Sequence, residues 1–456
     1  MMRLIKLFCL LVAVAGGLGL AGCTSLPEKI LHAQYRDTYD AVYEAPDTTD
    51  AAARFDGNST FDDYRQYAFT HSPGLRAAFE RWKAALERIP QARSLDDPML
   101  VFEYFIEQRQ TRYQASLIQL FPAFGKLGLR DKRAVAEAEA AMRTFETERL
   151  TLFDRVVKAF YEYHYLFRAT KVADEDFQLL ADIERVVTTR YKTGLAPFAD
   201  LIKVQVEKDR VANELATLRD ARGSKSAMLA ALLNLPARAA LPWPKVAPAG
   251  RALIDQAVLD GMLADLNPEL KAADSMIDAA VYREKLAYRS FLPDFMLGAS
   301  WMVMPGMDGK GDESDVGIMA GISVPVWWGK YRAEIREAGA MRRAGVNNRD
   351  DRHNMLKAEL SMAIFKFRDA ERRTALFTTS LIPKAAQALG VAKQEFSAGK
   401  TDFMTLIDAQ RTLLEFKLMS ERSAADREIA LGEIGRCIGK YDVGVELDGK
   451  ASGAKK

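Results

Sequence analysis

Two hydrophobic periods alternate along this chain, one of three to four residues and one of two, and the succession is written twice. Ser72-Pro73 and Asn267-Pro268 open helical blocks: a small polar N-cap precedes a proline whose ring presets φ and whose missing N–H had no helical partner anyway. These helices are expected to run to about Arg93 and Ser290. Period two follows in both halves. Leu100, Phe102, Tyr104 and Ile106 alternate with Val101, Glu103, Phe105 and Glu107, and beyond a polar turn around Arg109–Arg112 a second alternating run covers Tyr113 to Phe121. In the second half Phe295, Leu297, Ala299, Trp301 and Val303 share one face, with Met296, Ser300 and Met302 opposite. A Gly/Asp-rich loop spans Pro305–Ser314, and Val316, Ile318, Ala320, Ile322 and Val324 form the return strand. Pro122 and Pro325 end the hairpins, because proline cannot donate to a ladder.

The next blocks return to the helical period and are very long, about 129–190 and 331–395. Phe145, Leu152, Val156, Phe160, Tyr163 and Phe167 fall at steps of three, four or seven, as do Leu356, Leu360, Ile364 and Phe367, so each helix presents one apolar stripe to its neighbours. At ~1.5 Å per residue such a helix reaches ~90 Å, too long for an ordinary globular core. Shorter helices, Asp200–Leu235 and Met404–Ile438, return after Gly194 and Gly399. Pro236–Pro248 is an irregular connector.

The two halves match in sequence as well as in period. At an offset of 195, Ser72-Pro73-x-Leu75 meets Asn267-Pro268-x-Leu270 and Ala77-Ala78 meets Ala272-Ala273. At an offset of 204, Phe-Pro-x-Phe-Gly125-Lys126 meets Val-Pro-x-Trp-Trp-Gly329-Lys330. At 205, Gly194, Phe198, Leu201, Ile202 and Gln205 meet Gly399, Phe403, Leu406, Ile407 and Gln410. A collinear series of this kind identifies tandem repeats, 61–250 and 251–440.

Composition adds a compartment. Arg3 and Lys6 precede an apolar run from Leu7 to Leu20, the form of a secretory signal over residues 1–22. Leu20-Ala21-Gly22-Cys23 looks like a lipobox, so cleavage before Cys23, acylation of its thiol and a lipidated segment 23–60 are expected. Once Cys9 has left and Cys23 is acylated only Cys437 remains, so no disulfide is available and stability must come from packing or oligomerisation. Lys+Arg 64 against Asp+Glu 62, interleaved, gives no nucleic-acid footprint. No later stretch is apolar enough for a membrane helix. Alternating strands of ~10 residues would reconcile that with a membrane address, as a β-barrel. The polar tail 441–456 is expected to be disordered.

The signal and lipobox, the two repeats, the Asn-Pro-Glu-Leu start at Asn267, the Pro/Gly-Lys turns at Pro122-Gly125-Lys126 and Pro325-Gly329-Lys330, and the turns Tyr191-x-x-Gly194-x-x-x-Phe198-x-Asp200 and Phe396-x-x-Gly399-x-x-x-Phe403 together resemble the TolC family of outer-membrane efflux proteins. The resemblance implies a mainly helical α+β fold: a homotrimeric tunnel in the outer membrane with a twelve-stranded barrel, four strands per protomer, above a periplasmic helical barrel. It also implies a periplasmic adaptor and an inner-membrane RND-type pump as partners, and no cofactor. The glycine turns would be the periplasmic tip. Asp200 and Asp408 would sit at gate carboxylate positions, Thr405 stands where a further carboxylate is usual, and Lys400 is the basic residue of the turn. The same aspartates also read as helix N-terminal residues favoured by the dipole, Asp200 more than Asp408. The Phe-Pro-x-Phe-Gly-Lys-Leu-Gly-Leu-Arg stretch leans toward the ducts of heavy-metal pumps.

No enzyme is expected. His32, His71, His164 and His353 lack ligand spacing, and no phosphate loop, nucleophile elbow or cysteine pair is present. Met302, Met304 and Met307 carry soft thioether sulfur, for which barrel packing is the commoner use. The rival class is a periplasmic coiled-coil lipoprotein serving as an envelope scaffold, which would have no use for two alternating hairpins.

Overall fold

In a computed structural model, residues 26–43, 55–106, 111–239, 241–244, 251–252, 254–305, 311–441 and 445–446 are described. The signal, Cys23, the first hairpin's turn, Met307 and most of the tail lie outside them. Element order repeats as the sequence does. The first half runs α2 (Phe61–His71), α3 (Pro73–Leu86), α4 (Arg88–Arg93), β1 (Met99–Tyr104), β2 (Tyr113–Phe121), α5 (Lys126–Lys192) and α6 (Phe198–Leu232), after an N-terminal α1 (Leu26–Tyr43). The second half runs β3 (Arg251–Ala252), α7 (Gln256–Leu266), α8 (Pro268–Arg289), β4 (Phe295–Pro305), β5 (Asp312–Ile322), α9 (Trp328–Leu376), α10 (Ile382–Ser397), α11 (Phe403–Ile438) and β6 (Val445–Glu446).

Contacts divide the chain into two compact units. The first gathers residues 78–145 and 269–352 with the N-terminal segment to 40. Its sheet joins both hairpins in the order β1-β2-β4-β5, antiparallel throughout, so one β-hairpin from each repeat pairs with the other through β2 and β4. The register sorts side chains cleanly. Leu100, Phe102, Tyr113, Leu117, Phe295, Leu297, Trp301 and Ile318 share one face, and Ser116, Gln114, Met296, Ser300 and Met302 share the other. The apolar face is the open one: Ile318 is 90% exposed and Leu100 70%, while Ser116 and Ser300 on the other face are 5% and 6%. Below the sheet, Phe79 and Trp82 pack on Phe145 at 5.6 and 5.9 Å, and Arg352–Glu269, Arg342–Glu284 and Arg283–Glu337 ion pairs tie α8 to α9.

The second unit holds residues 41–77, 146–268 and 353–456. Its core runs along the helices through Leu180, Ile183, Val187, Val204, Leu389, Phe396, Phe403 and Leu406, the apolar stripes meeting as their spacing requires. α5 is unbroken for 67 residues, ~100 Å at 1.5 Å per residue.

Four expectations change. The second long helix is not continuous: a π turn over Phe377–Leu381 separates α9 from α10, and Ile382 N–H bonds back to Phe377 O. Pro383, with no N–H and a ring that crowds the preceding turn, accounts for it. The first helix of repeat one breaks at Glu87 into α3 and α4. Two helices of 11 residues, α2 and α7, precede Ser72 and Asn267 at equivalent repeat positions and had not been anticipated. The tail is not wholly irregular either, since Tyr441 packs on Phe153 at 5.3 Å and Val445–Glu446 pair with Arg251–Ala252.

Candidate functional site

The site named by sequence is the pair of glycine turns that join α5 to α6 and α10 to α11, both within the second unit. Each is built by the same backbone device. Gly194 and Gly399 stand at φ +71 and +72, the left-handed region where a side chain is strained. Gly194 N–H bonds Tyr191 O at 3.0 Å and Leu195 N–H bonds Arg190 O at 2.7 Å; Gly399 N–H bonds Phe396 O at 3.0 Å and Lys400 N–H bonds Glu395 O at 2.9 Å. These paired bonds consume carbonyls that the helix end leaves over.

The exits from the turns differ. Pro197 precedes α6 without a side-chain cap, and Asp200 lies in the first turn, its side chain 15% exposed and 4.0 Å from Lys203 Nζ. In the other repeat the cap is Asp402, whose Oδ1 accepts from Thr405 N–H at 2.8 Å and from the Thr405 hydroxyl at 2.7 Å. Those bonds hold the Asp402 carboxyl below the usual carboxylate range. Thr405 thus serves the cap. Asp408 lies a turn further on, within the helix, so it is not the cap; it is exposed, and its neighbour in charge is Arg411. Lys400 is exposed at the turn.

One residue that the sequence had not singled out binds the two turns together. The Arg190 guanidinium, at the end of α5, donates to the carbonyl oxygens of Phe396, of Ser397 at 2.7 Å and of Leu195 at 3.1 Å, and lies 4.8 Å from the centroid of the Phe396 ring. A basic residue in the last turn before a left-handed glycine is the signal that could have found it. The equivalent position of the second repeat is Glu395, so the clasp runs one way only.

Deeper along the same helices lies a buried polar pair. Gln410 Nε2 donates to Asp176 Oδ2 at 2.6 Å, and burial pushes the Asp176 carboxyl up to about 6 against the opposing pull of that bond. Nearby Glu207, 2% exposed, is also raised by burial, but hydrogen bonds from Arg411 and Arg210 outweigh this and hold it below its usual range. Gln205, the repeat counterpart of Gln410, donates to Glu184 at 3.2 Å, so both glutamines reach a carboxylate on α5. Among the described residues no group of three or more His, Cys, Asp or Glu side chains is arranged to hold a metal ion. No described helix is long and apolar enough to cross a membrane.

A model of the outer membrane efflux protein family matches residues 65–235 and 261–439. A protein of Haemophilus influenzae described as uncharacterized is 27% identical over 206 residues, 44% of this chain; the match spans 45% of that relative's length. Among solved structures, the outer membrane protein VceC of Vibrio cholerae superposes with a TM-score of 0.72 at 19% identity, over 84% of this chain and 97% of that one. CusC, described in terms of folding and transmembrane channel formation, gives 0.73 at 15% over 85% and 93%. The open state of the Neisseria gonorrhoeae MtrE outer membrane channel gives 0.67 at 15% over 84% and 90%. At these identities the likeness is one of fold.

Proposed function

The chain belongs to the outer membrane efflux protein family, and from that premise we propose that three copies form an outer-membrane exit duct, lipid-anchored at Cys23, that passively conducts substrate delivered by an inner-membrane RND-type pump through a periplasmic adaptor. The four-stranded sheet carries this reading. Its apolar face is open, and β1 and β5 each leave an edge without a strand partner among the described residues. In lipid such edges are untenable, since no water is present to bond them. Pairing β5 of one copy with β1 of the next closes twelve strands, a ring that presents the aromatic and aliphatic face to lipid. A scaffold of helical hairpins would have no need of such a sheet.

The glycine turns form the periplasmic tip in this reading, and Asp200, Lys400 and Asp408, each present three times, place charge around the narrowest part of the path. The assay is conductance. Protein extracted from outer membranes should run as a heat-resistant trimer on gels and open discrete channels in planar bilayers. Monomer without channel activity would remove the duct. Asp200→Ala with Asp408→Ala should raise conductance and weaken block by divalent cations while trimer stability holds; unchanged conductance and block would take both residues out of the gate.

A further inference from the structure

The four strands of the first unit's sheet contain five methionines, Met99, Met296, Met302, Met304 and Met319, and the register sets all five on the same face. Met99, Ile118, Gly298 and Met319 form one row across the sheet, each opposite the next. The face they share is the one opposite the exposed aromatic and aliphatic side chains. Glycine makes room for the thioethers. A Cβ at Gly321 would fall 2.8 Å from Met296 Cε, and one at Gly317 would fall 3.5 Å from Met302 Cε. The arms of Met296 and Met302 therefore reach over β5 at the two glycines that flank Met319. Three thioethers follow one another along β5 at steps of ~7 Å, two residues of strand each.

Within the four strands the charged side chains of that face are all acidic, and the described cation at the strand ends, Arg112, is paired with Asp312. Asp315 stands opposite Met302, Glu313 opposite Met304 and Glu103 opposite Gln114, while β1, β2, β4 and β5 hold no Lys, Arg or His. Carboxylates concentrate cations of any kind, but thioether sulfur prefers soft ones, Cu(I) and Ag(I) above hard ions. A thioether also has no proton to lose, so its affinity does not depend on pH.

We infer that this methionine-bearing face is a chain of weak sites for soft monovalent metal cations. The inference rests on the duct reading, in which the face lines a wet lumen. Sites spaced too far apart for several sulfurs to wrap one ion bind it loosely, and loose serial binding lets an ion enter and leave.

The test compares full-length protein carrying Cys437→Ala, which removes a competing thiol, with the same protein carrying Met296→Leu, Met302→Leu and Met319→Leu. Leucine keeps the volume and apolar character and removes only sulfur. Silver nitrate is titrated by equilibrium dialysis in chloride-free buffer, and potassium conductance is recorded from both proteins. The expected result is at least a tenfold weaker silver affinity in the leucine variant, equal potassium conductance, and silver block of that current only where the methionines remain. Equal silver binding by both proteins overturns the thioether sites. Absence of potassium current from both proteins overturns the duct reading instead, and the inference with it.

Discussion

Arg190→Met should loosen the helical tip without unfolding the chain. Three carbonyl oxygens, of Leu195, Phe396 and Ser397, take bonds from one guanidinium, which also covers the Phe396 ring. A buried bond from a charged donor contributes about 1.5–3 kcal/mol, but this group is partly solvated and the three bonds share one side chain. Methionine retains most of the stem's packing, so the loss assigned to the polar contacts is about 2–3 kcal/mol. That free energy governs local opening of the α10–α11 turn rather than global unfolding. Hydrogen exchange at the amides of Gly399 and Lys400, bonded to Phe396 O and Glu395 O, should then accelerate about 30- to 150-fold at an unchanged thermal midpoint. Arg190→Lys should recover little, since an ammonium cannot span three separated carbonyls. Unchanged exchange at both amides in the methionine variant would refute the clasp.

Asp176 offers a pH test. Its folded carboxyl titrates at about 6 against an ordinary 3.8, so the folded chain holds the proton more tightly than the unfolded one. The stabilisation from that proton is complete below about pH 4 and is lost as pH rises to about 6, a difference of order 3 kcal/mol. Asp176→Asn should accordingly raise the unfolding midpoint near about pH 8 and flatten its fall between about pH 4 and 6; a wild-type pH profile in the variant contradicts the buried carboxylate. Cys23→Ser should abolish labelling by radioactive palmitate, and continued labelling would place the lipid elsewhere. Single cysteines at 295–303 should react alternately from lipid and from water in membranes, with Phe295, Leu297 and Trp301 in the lipid set and Val303, on the same face but buried, slow to react; a period of three to four would exclude a barrel strand.

The strands were legible because a sheet with one apolar and one polar face writes its period into every second residue, as at Phe295, Leu297 and Trp301. The helices were legible through Phe145 to Phe167 for the same reason. Repeat matching carried what periodicity could not, fixing Gly194 against Gly399 with no knowledge of backbone angles. What stayed hidden depends on partners distant in sequence. Arg190 reads as any surface arginine until Phe396 is brought beside it, 206 residues away. Asp402 was overlooked in favour of Asp408, although Asp-x-x-Thr at a helix start is a capping pattern. Pro383 stood in plain view inside a helical period and should have signalled the break before α10.

The π turn at Phe377–Leu381 also reconciles two lengths. Between the Gly-Lys turn and the left-handed glycine the first repeat measures 69 residues, Gly125 to Gly194, and the second 70, Gly329 to Gly399. A π turn is how a helix absorbs a single inserted residue without rotating everything beyond it. With one residue more between turns that match at both ends, the second helix keeps both ends in register when the surplus is taken up locally, as a π turn does. Deleting one residue from this turn should give the second helix the length of its sister, while Pro383, with no N–H to donate, still interrupts its hydrogen-bond ladder.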